Sequence, residues 1–540
     1  MEGCPKTINS RGIVKISFLK GVLIVLVLVG LAVISESVAA KGVPQRFNRS
    51  SIISERIARA EGAVPKYSLP TKKYQLATPS EIVSVASKNV NVIGKNDVMQ
   101  KKKIDGITVD TCNPGKQTPQ NETAIAVNPN DANNLVAGVN DYRLYVPSEN
   151  RYDSGGGVYL STDGGKQWSV SYLPGLVTAY TDSPGAYEAA ADPVIAAGPS
   201  NVFWYANIAF NRSDDANAIA VSRSADGGET WATNFVIQTA ATDGKTLFND
   251  KEWIAADPND QNVAYVTWTQ FNYDADGAYI SSLIVYSKTT DGGLSWIEPQ
   301  PVTQQLYNQG SVVFVDTSGN VHVVWETFVE SDSVNAVAYA VKTSGSETFA
   351  DTQILATIND VPDPFSWAKF RTNSYPAFVT DGINLHVVWS DWNGSDADIV
   401  YIRSTDGGVS WSSTETIDGG ESDQFFPWVG ANNGKVFVSY MDHRGEKKSH
   451  YHISIVASGD GGASWSDPVK ISTKYSAPSR GNKSDYPNCT AGFIGDYTGI
   501  AVGVDGVAHP FWTDIRKGNS PGGKGSHYDQ DPYTVRVTIP

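Results

Sequence analysis

The sequence predicts an all-β fold, a single propeller of four-stranded antiparallel blades. Three observations predict it. An eight-residue turn motif recurs along the chain, a two-strand pattern recurs in step with it, and both repeat at roughly 60 residues, the length of four short strands and their turns. Seven blades fit the repeats, with six as the alternative.

The motif is STDGGKQW at Ser161 to Trp168. It returns as SADGGETW (Ser224 to Trp231), TTDGGLSW (Thr289 to Trp296), STDGGVSW (Ser404 to Trp411) and SGDGGASW (Ser458 to Trp465). A worn copy, KTSGSETF at Lys342 to Phe349, has Ser344 for the aspartate and Phe349 for the tryptophan. Apolar alternation ahead of the copies (Val158 and Leu160, Ile284 and Tyr286, Val400 and Ile402) sends a strand into each turn. The aspartates (Asp163, Asp226, Asp291, Asp406, Asp460) can accept hydrogen bonds from backbone N–H groups just downstream, and Gly-Gly supplies positive φ. Each tryptophan (Trp168, Trp231, Trp296, Trp411, Trp465) can fold back and bury its ring, for about 2–3 kcal/mol. The motif therefore reads as a structural staple.

These S-x-D-x-G-x-x-W repeats resemble the Asp-box, or BNR, signature of the sialidase-like (neuraminidase superfamily) β-propellers, over roughly residues 105–540. The resemblance implies boxes that join the two outer strands of each blade, away from the active centre. It also implies a sialidase mechanism: three arginines clamp the substrate carboxylate, a glutamate-activated tyrosine is the nucleophile, and an aspartate is the acid. The family places its first arginine in an F/Y-R-I-P motif. This sequence has no Arg-x-Pro, and Phe370-Arg371-Thr372 lies in a different repeat.

In chain order, residues 1–40 read as a secretory signal peptide. Lys6, Arg11, Lys15 and Lys20 precede the apolar run Gly21 to Ile34, and Val38-Ala39-Ala40 suits cleavage. The expected location is extracellular, with an uncleaved membrane anchor as the alternative. Residues 41–103 hold 13 Lys/Arg against 4 Asp/Glu and read as a basic, partly disordered arm. Residues 104–540 carry −26 of a total of −15, which disfavours nucleic-acid binding. No later segment suits a membrane span.

From about residue 104 the repeats begin. Each opens with an apolar strand, as in TAIAVNP (123–129), WIAADP (253–258) and TGIAVG (498–503). A second strand follows, closing on the column Val139, Asn207, Trp268, Trp325, Trp389, Tyr440 and Trp512. The third strand enters the box and the fourth leaves it. The seventh repeat lacks an outer strand, and Ile104 to Asp110 is expected to supply it, closing the ring from the N-terminal side. Cys112 and Cys489 would then share that blade and form a disulfide, as an oxidising compartment permits.

Blades converge at the starts of their innermost strands. Glu122, Glu188, Glu252 and Asp496 stand there, with Tyr187, Tyr375, Tyr497 and Trp428 nearby, and could ring one mouth. Tyr187-Glu188 is the only adjacent Tyr–Glu pair, so Tyr187, Glu188 and Glu252 are the catalytic candidates. Arg143, Arg444 and Arg516, each two residues after an aspartate, are the carboxylate-clamp candidates, with Glu122 and Asp496 as further substrate-binding residues. No metal-spaced cluster appears and no cofactor is required; a structural cation such as calcium is compatible with the acids but not called for. The expected function is a secreted, monomeric glycoside hydrolase of exo-α-sialidase type acting on glycans; the alternative is a non-catalytic propeller that binds a glycan or protein on its channel face.

Overall fold

The computed structural model describes residues 83–93, 108–109, 119–146, 151–478 (save 245, 369, 383, 447 and 448), 493–516 and 529–540. Every named element among them is a strand, and the strands form seven sheets. Blade 1 is built from Gln120–Asn128, Asp131–Val146, Arg151–Ser161 and Ser169–Tyr172, innermost strand first. Blades 2 to 6 repeat the order, with innermost strands Ala189–Ala197, Leu247–Ala256, Asn308–Val315, Ala377–Thr380 and Gln424–Asn432. Blade 7 starts at Gly499–Val502, continues through Ala508–Asp514 and ends with Asp531–Thr534 and Val537–Thr538. Each innermost strand lies against the next, and Gly499–Val502 lies against Gln120–Asn128, so the ring is closed. Apolar side chains alternate to both faces of the sheets because every blade is buried between two others. Trp204, Trp268, Trp325, Trp389 and Trp512 are fully buried there.

The ring closes from the N-terminal side, but not with the expected segment. Thr108–Val109 pairs parallel to Arg151–Ser161 on blade 1. The outer strands of blade 7 are instead Ser84–Val85, paired with Val537–Thr538, and Val90–Asn91, paired with Asp531–Thr534. The propeller thus draws on residues inside the basic stretch 41–103. The pattern Val83, Val85, Val90, Val92, Ile93 is strand-like, and the charge average over 63 positions hid it. Val92 and Ile93 are buried among Ile125, Leu135 and Phe511. Asn89 donates to the Ile471 carbonyl (2.9 Å) and accepts from Thr473 N (2.6 Å), tying this segment to blade 6. The signal region, Cys112 and Cys489 lie outside the described residues.

The boxes sit between third and fourth strands. In the first, Asp163 Oδ1 accepts from Lys166 N (3.0 Å) and Gln167 N (2.9 Å), Ser161 Oγ accepts from Gly165 N (3.0 Å), and the Trp168 indole donates to the Gly165 carbonyl (3.2 Å). Both glycines have positive φ in every intact copy. The second glycine has a further reason to be glycine, because it is pressed against the preceding blade. A Cβ on Gly408 would stand 2.0 Å from Tyr339 Oη, and one on Gly462 would stand 1.9 Å from Tyr401 Oη. Those phenols cannot swing away easily. Tyr339 is bonded to His322 (2.8 Å) and Tyr401 to His386 (2.7 Å). The box tryptophans pack on the same phenols: Trp411 on Tyr339 and Trp465 on Tyr401, ring centroids 5.1 and 4.9 Å apart. Gly462→Ala is therefore expected to destabilise the fold by about 1–3 kcal/mol through strain and overpacking. A thermal melt of the variant beside Gly461→Ala, where no phenol stands in the way, checks the packing part.

Candidate active site at the channel mouth

The innermost strands share a backbone irregularity that aims side chains at the ring axis. In blades 1, 2, 3, 4 and 6 the pairing with the second strand slips, at Asn121/Ala124, Ala191/Val194, Asp250/Trp253, Gln309/Val312 and Phe425/Trp428. The first residue of each bulge has positive φ: Glu122 (53°), Asp192 (57°), Lys251 (52°), Gly310 (68°) and Phe426 (50°). Only one of the five is glycine, so four blades hold a side chain in a conformation that L-residues disfavour. A bulge of this kind re-aims its residues out of the strand's alternation.

The side chains so placed meet others from across the ring. Trp253 of blade 3 stacks against Trp428 of blade 6 (4.9 Å) and faces Tyr497, just ahead of blade 7 (6.3 Å), which makes an aromatic floor. Around it, Glu122 Oε2 accepts from Asn140 (2.6 Å) and Glu122 Oε1 from Asp496 N (3.1 Å). Asp192 N donates to Asn140 Oδ1 (2.8 Å). Arg371, on the connection between blades 4 and 5, forks onto both oxygens of Asp496, with Nε at 2.7 Å. That connection is anchored by Trp367, which stacks face to face on His443 (4.0 Å) and donates to Asp423 (2.6 Å). Tyr375, from the same connection, packs under Gly310, where a Cβ would meet its ring at 2.9 Å. The chain is a seven-bladed propeller with an acidic cup at its axis.

The acids of the cup are strongly perturbed. Burial, reinforced by Asp192 and Asp496, pushes the Glu122 carboxyl well above its ordinary range. Burial and then Asp192 do the same to Glu252, and burial lifts Asp250 to about 7. Asp192 is raised by burial and pulled back by Lys251 and by hydrogen bonding with Glu122. Divergent environments around neighbouring carboxyls are how a fold holds one acid protonated beside another that is ionised. Among the described residues, no group of three or more His, Cys, Asp or Glu side chains is placed to hold a metal ion.

A raised carboxyl has a definite sign in stability. Its contribution is fully present below the unfolded value near 4 and is lost as pH climbs through the folded value. Asp250→Asn should therefore match the wild type near pH 4 and become the more stable protein as pH rises from 4 to 7, by an amount on the order of a few kcal/mol. Urea midpoints of both proteins at pH 4, 6 and 8 check this. The box aspartates behave oppositely: hydrogen bonds hold Asp291 and Asp406 down to about 2, so their contribution is lost only as pH falls towards that value.

Three of the acids expected at the mouth, Glu122, Glu252 and Asp496, come together there. Glu188 does not: its carboxylate caps the turn after the second strand of blade 2, accepting from Arg212 N (2.6 Å) and Ser213 N (3.0 Å). Tyr187 is buried against Phe235 of the outermost strand of blade 2, its hydroxyl accepts from Gln238, and burial pushes its phenol up. Neither is a partner of Glu252. The three clamp arginines are held separately. Arg143 is bonded to Asp141 and Tyr159, Arg516 to Asp514, and Arg444 reaches Asp418 of the preceding blade (2.7 Å). Asp192, Asp250 and Lys251 are mouth residues that sequence reasoning did not single out, and Arg371 is one it set aside because Phe370-Arg371-Thr372 lies in a different repeat.

No family model and no curated protein matches the chain. Among solved structures it is similar to a Dyadobacter fermentans protein of unknown function (16% identity, 66% of this chain and 98% of that one, TM-score 0.42). It is also similar to a Penicillium chrysogenum α-L-arabinanase complexed with arabinobiose (14%, 79% and 96%, TM-score 0.41). A Streptococcus pneumoniae sialidase shows 9% identity over 85% of this chain and 98% of its own, with a TM-score of 0.42. These likenesses concern bladed architecture and leave the chemistry to the residues.

Proposed function

We propose that the protein is an exported glycoside hydrolase whose reaction takes place in the acidic cup. The observation that carries this reading is the set of neighbouring carboxyls in unlike environments. Asp192 is partly exposed and burial raises it, which suits a general acid that protonates the leaving-group oxygen. Asp496, gripped by the Arg371 fork, supplies the second carboxylate at the glycosidic carbon. Glu122 neighbours both and supports them, through its hydrogen bond from Asp496 N and its electrostatic coupling to Asp192. Export rests on the character of residues 1–40.

A second reading, binding of a glycan without turnover, is favoured by the enclosure of Glu122 and Glu252, which are 1% and 0% exposed. A panel of fluorogenic glycosides that includes sialosides and arabinofuranosides separates the two. Turnover that Asp192→Asn abolishes supports the hydrolase. Absence of turnover on every substrate, with retained binding on a glycan array, supports the binding protein.

A further inference from the structure

The cup contains one cation that nothing in the fold explains. Lys251 is 5% exposed and held at positive φ by its bulge. Its Nζ lies 3.5 Å from the centroid of the Tyr497 ring and 5.8 Å from that of Trp253, and among the described residues it has no hydrogen-bond partner. Its charge is felt by Glu122, Asp192, Asp250 and Glu252, yet none of them accepts a bond from it. An ammonium has three N–H donors, and leaving such a group buried and unbonded is unfavourable. Such an arrangement is stable only as part of something else. A cation–π contact on Tyr497 offsets part of the cost, and the remaining donors point to a ligand oxygen. The other cation of the cup, Arg371, already spends its fork on Asp496.

We infer that Lys251 is the hydrogen-bond donor by which the cup recognises its glycan, and that this glycan is neutral, carrying hydroxyls rather than a carboxylate. The inference rests on the hydrolase reading and adds the substrate class. The unpaired groups support it: among the described residues, Glu252 Oε1 and Oε2 are buried in the same cup and, like Lys251 Nζ, have no hydrogen-bond partner. A ligand carboxylate has no hydrogen to offer these oxygens. A hydroxyl group can instead accept from Lys251 and donate to one of them.

Trp253 and Trp428 form the floor, so intrinsic fluorescence reads occupancy without turnover. Wild-type protein, Lys251→Met and Lys251→Arg would be titrated with arabinobiose, lactose and N-acetylneuraminic acid, with thermal melts alongside. The expected result is quenching by a neutral disaccharide and none by N-acetylneuraminic acid. Lys251→Met should weaken binding by about tenfold or more, and Lys251→Arg should restore part of it. Unchanged affinity in a folded Lys251→Met overturns the inference, as does quenching by N-acetylneuraminic acid alone. If Lys251→Met does not fold, the wild-type titrations and Lys251→Arg decide. Neutral-sugar binding without hydrolysis leaves the inference standing and removes the hydrolase. Sialoside hydrolysis without neutral-sugar binding does the reverse, and neither binding nor hydrolysis removes both.

Discussion

Asp192→Asn should lower glycoside hydrolysis by about 10²–10⁴-fold while the protein stays folded. The size of the effect follows from the role: an acid that donates its proton as the glycosidic bond breaks acts in the transition state, so its loss appears in kcat. The substitution suits the position. Asp192 holds φ at 57°, a region that asparagine tolerates nearly as well as aspartate, so the bulge survives the change. Removing a raised carboxyl also relieves repulsion with Glu122, Asp250 and Glu252, and the variant should melt no lower than the wild type. A substrate with an activated phenol leaving group needs little protonation and should recover much of the rate. That leaving-group dependence separates a general acid from a residue that merely shapes the cup.

A chain that begins at residue 94 should lose several kcal/mol relative to one that begins at residue 83. The eleven residues between them contribute two strands to blade 7 and bury Val92 and Ile93 at 1% exposure each. Those two side chains alone are worth about 3–6 kcal/mol. Their removal also strips backbone partners from the outer edge, where Val92 N donates to Pro532 O (3.0 Å) and Ala86 N to Arg536 O (2.9 Å). An uncovered edge strand invites pairing with another molecule. Scanning calorimetry should show the shorter chain melting on the order of 10 °C lower, and light scattering should show it associating. Identical melts would mean that this segment decorates the ring rather than closing it.

The blades were legible because their signals are periodic. Five intact boxes and the recurring inner strand announce the same unit repeatedly, and averaging over copies suppresses local exceptions. The acids at strand starts were legible from the same repeat, since Glu122 and Glu252 each stand just ahead of an apolar inner strand, Glu252 one place beyond the position that Glu122 holds in its own bulge. What escaped lay off the period. Arg371 belongs to the connection between blades 4 and 5, where no neighbouring repeat offers a template. Lys251 and Asp192 owe their direction to positive φ, and neither residue type announces that as glycine would. The arginines of the Asp-x-Arg column were visible but satisfied: in Arg143 and Arg516 the aspartate two positions earlier takes the guanidinium, which leaves nothing to hold a substrate.

The closing joint has a consequence for the order of folding. Val90–Asn91 pairs with Asp531–Thr534, so partners more than four hundred positions apart must meet to complete blade 7. During synthesis, blades 1 to 6 can form one after another, the box glycines of the later blades docking on a neighbour that already exists, while Gly165 of blade 1 waits for His509 of blade 7. The strands at 84–91 have no counterpart until residues 531–538 emerge. For nearly the whole of its birth the molecule is an open arc with two unsatisfied ends. Chaperone dependence and sensitivity to protease should therefore concentrate in this last interval, and a nascent chain stalled before residue 531 should never acquire the protection of the closed ring.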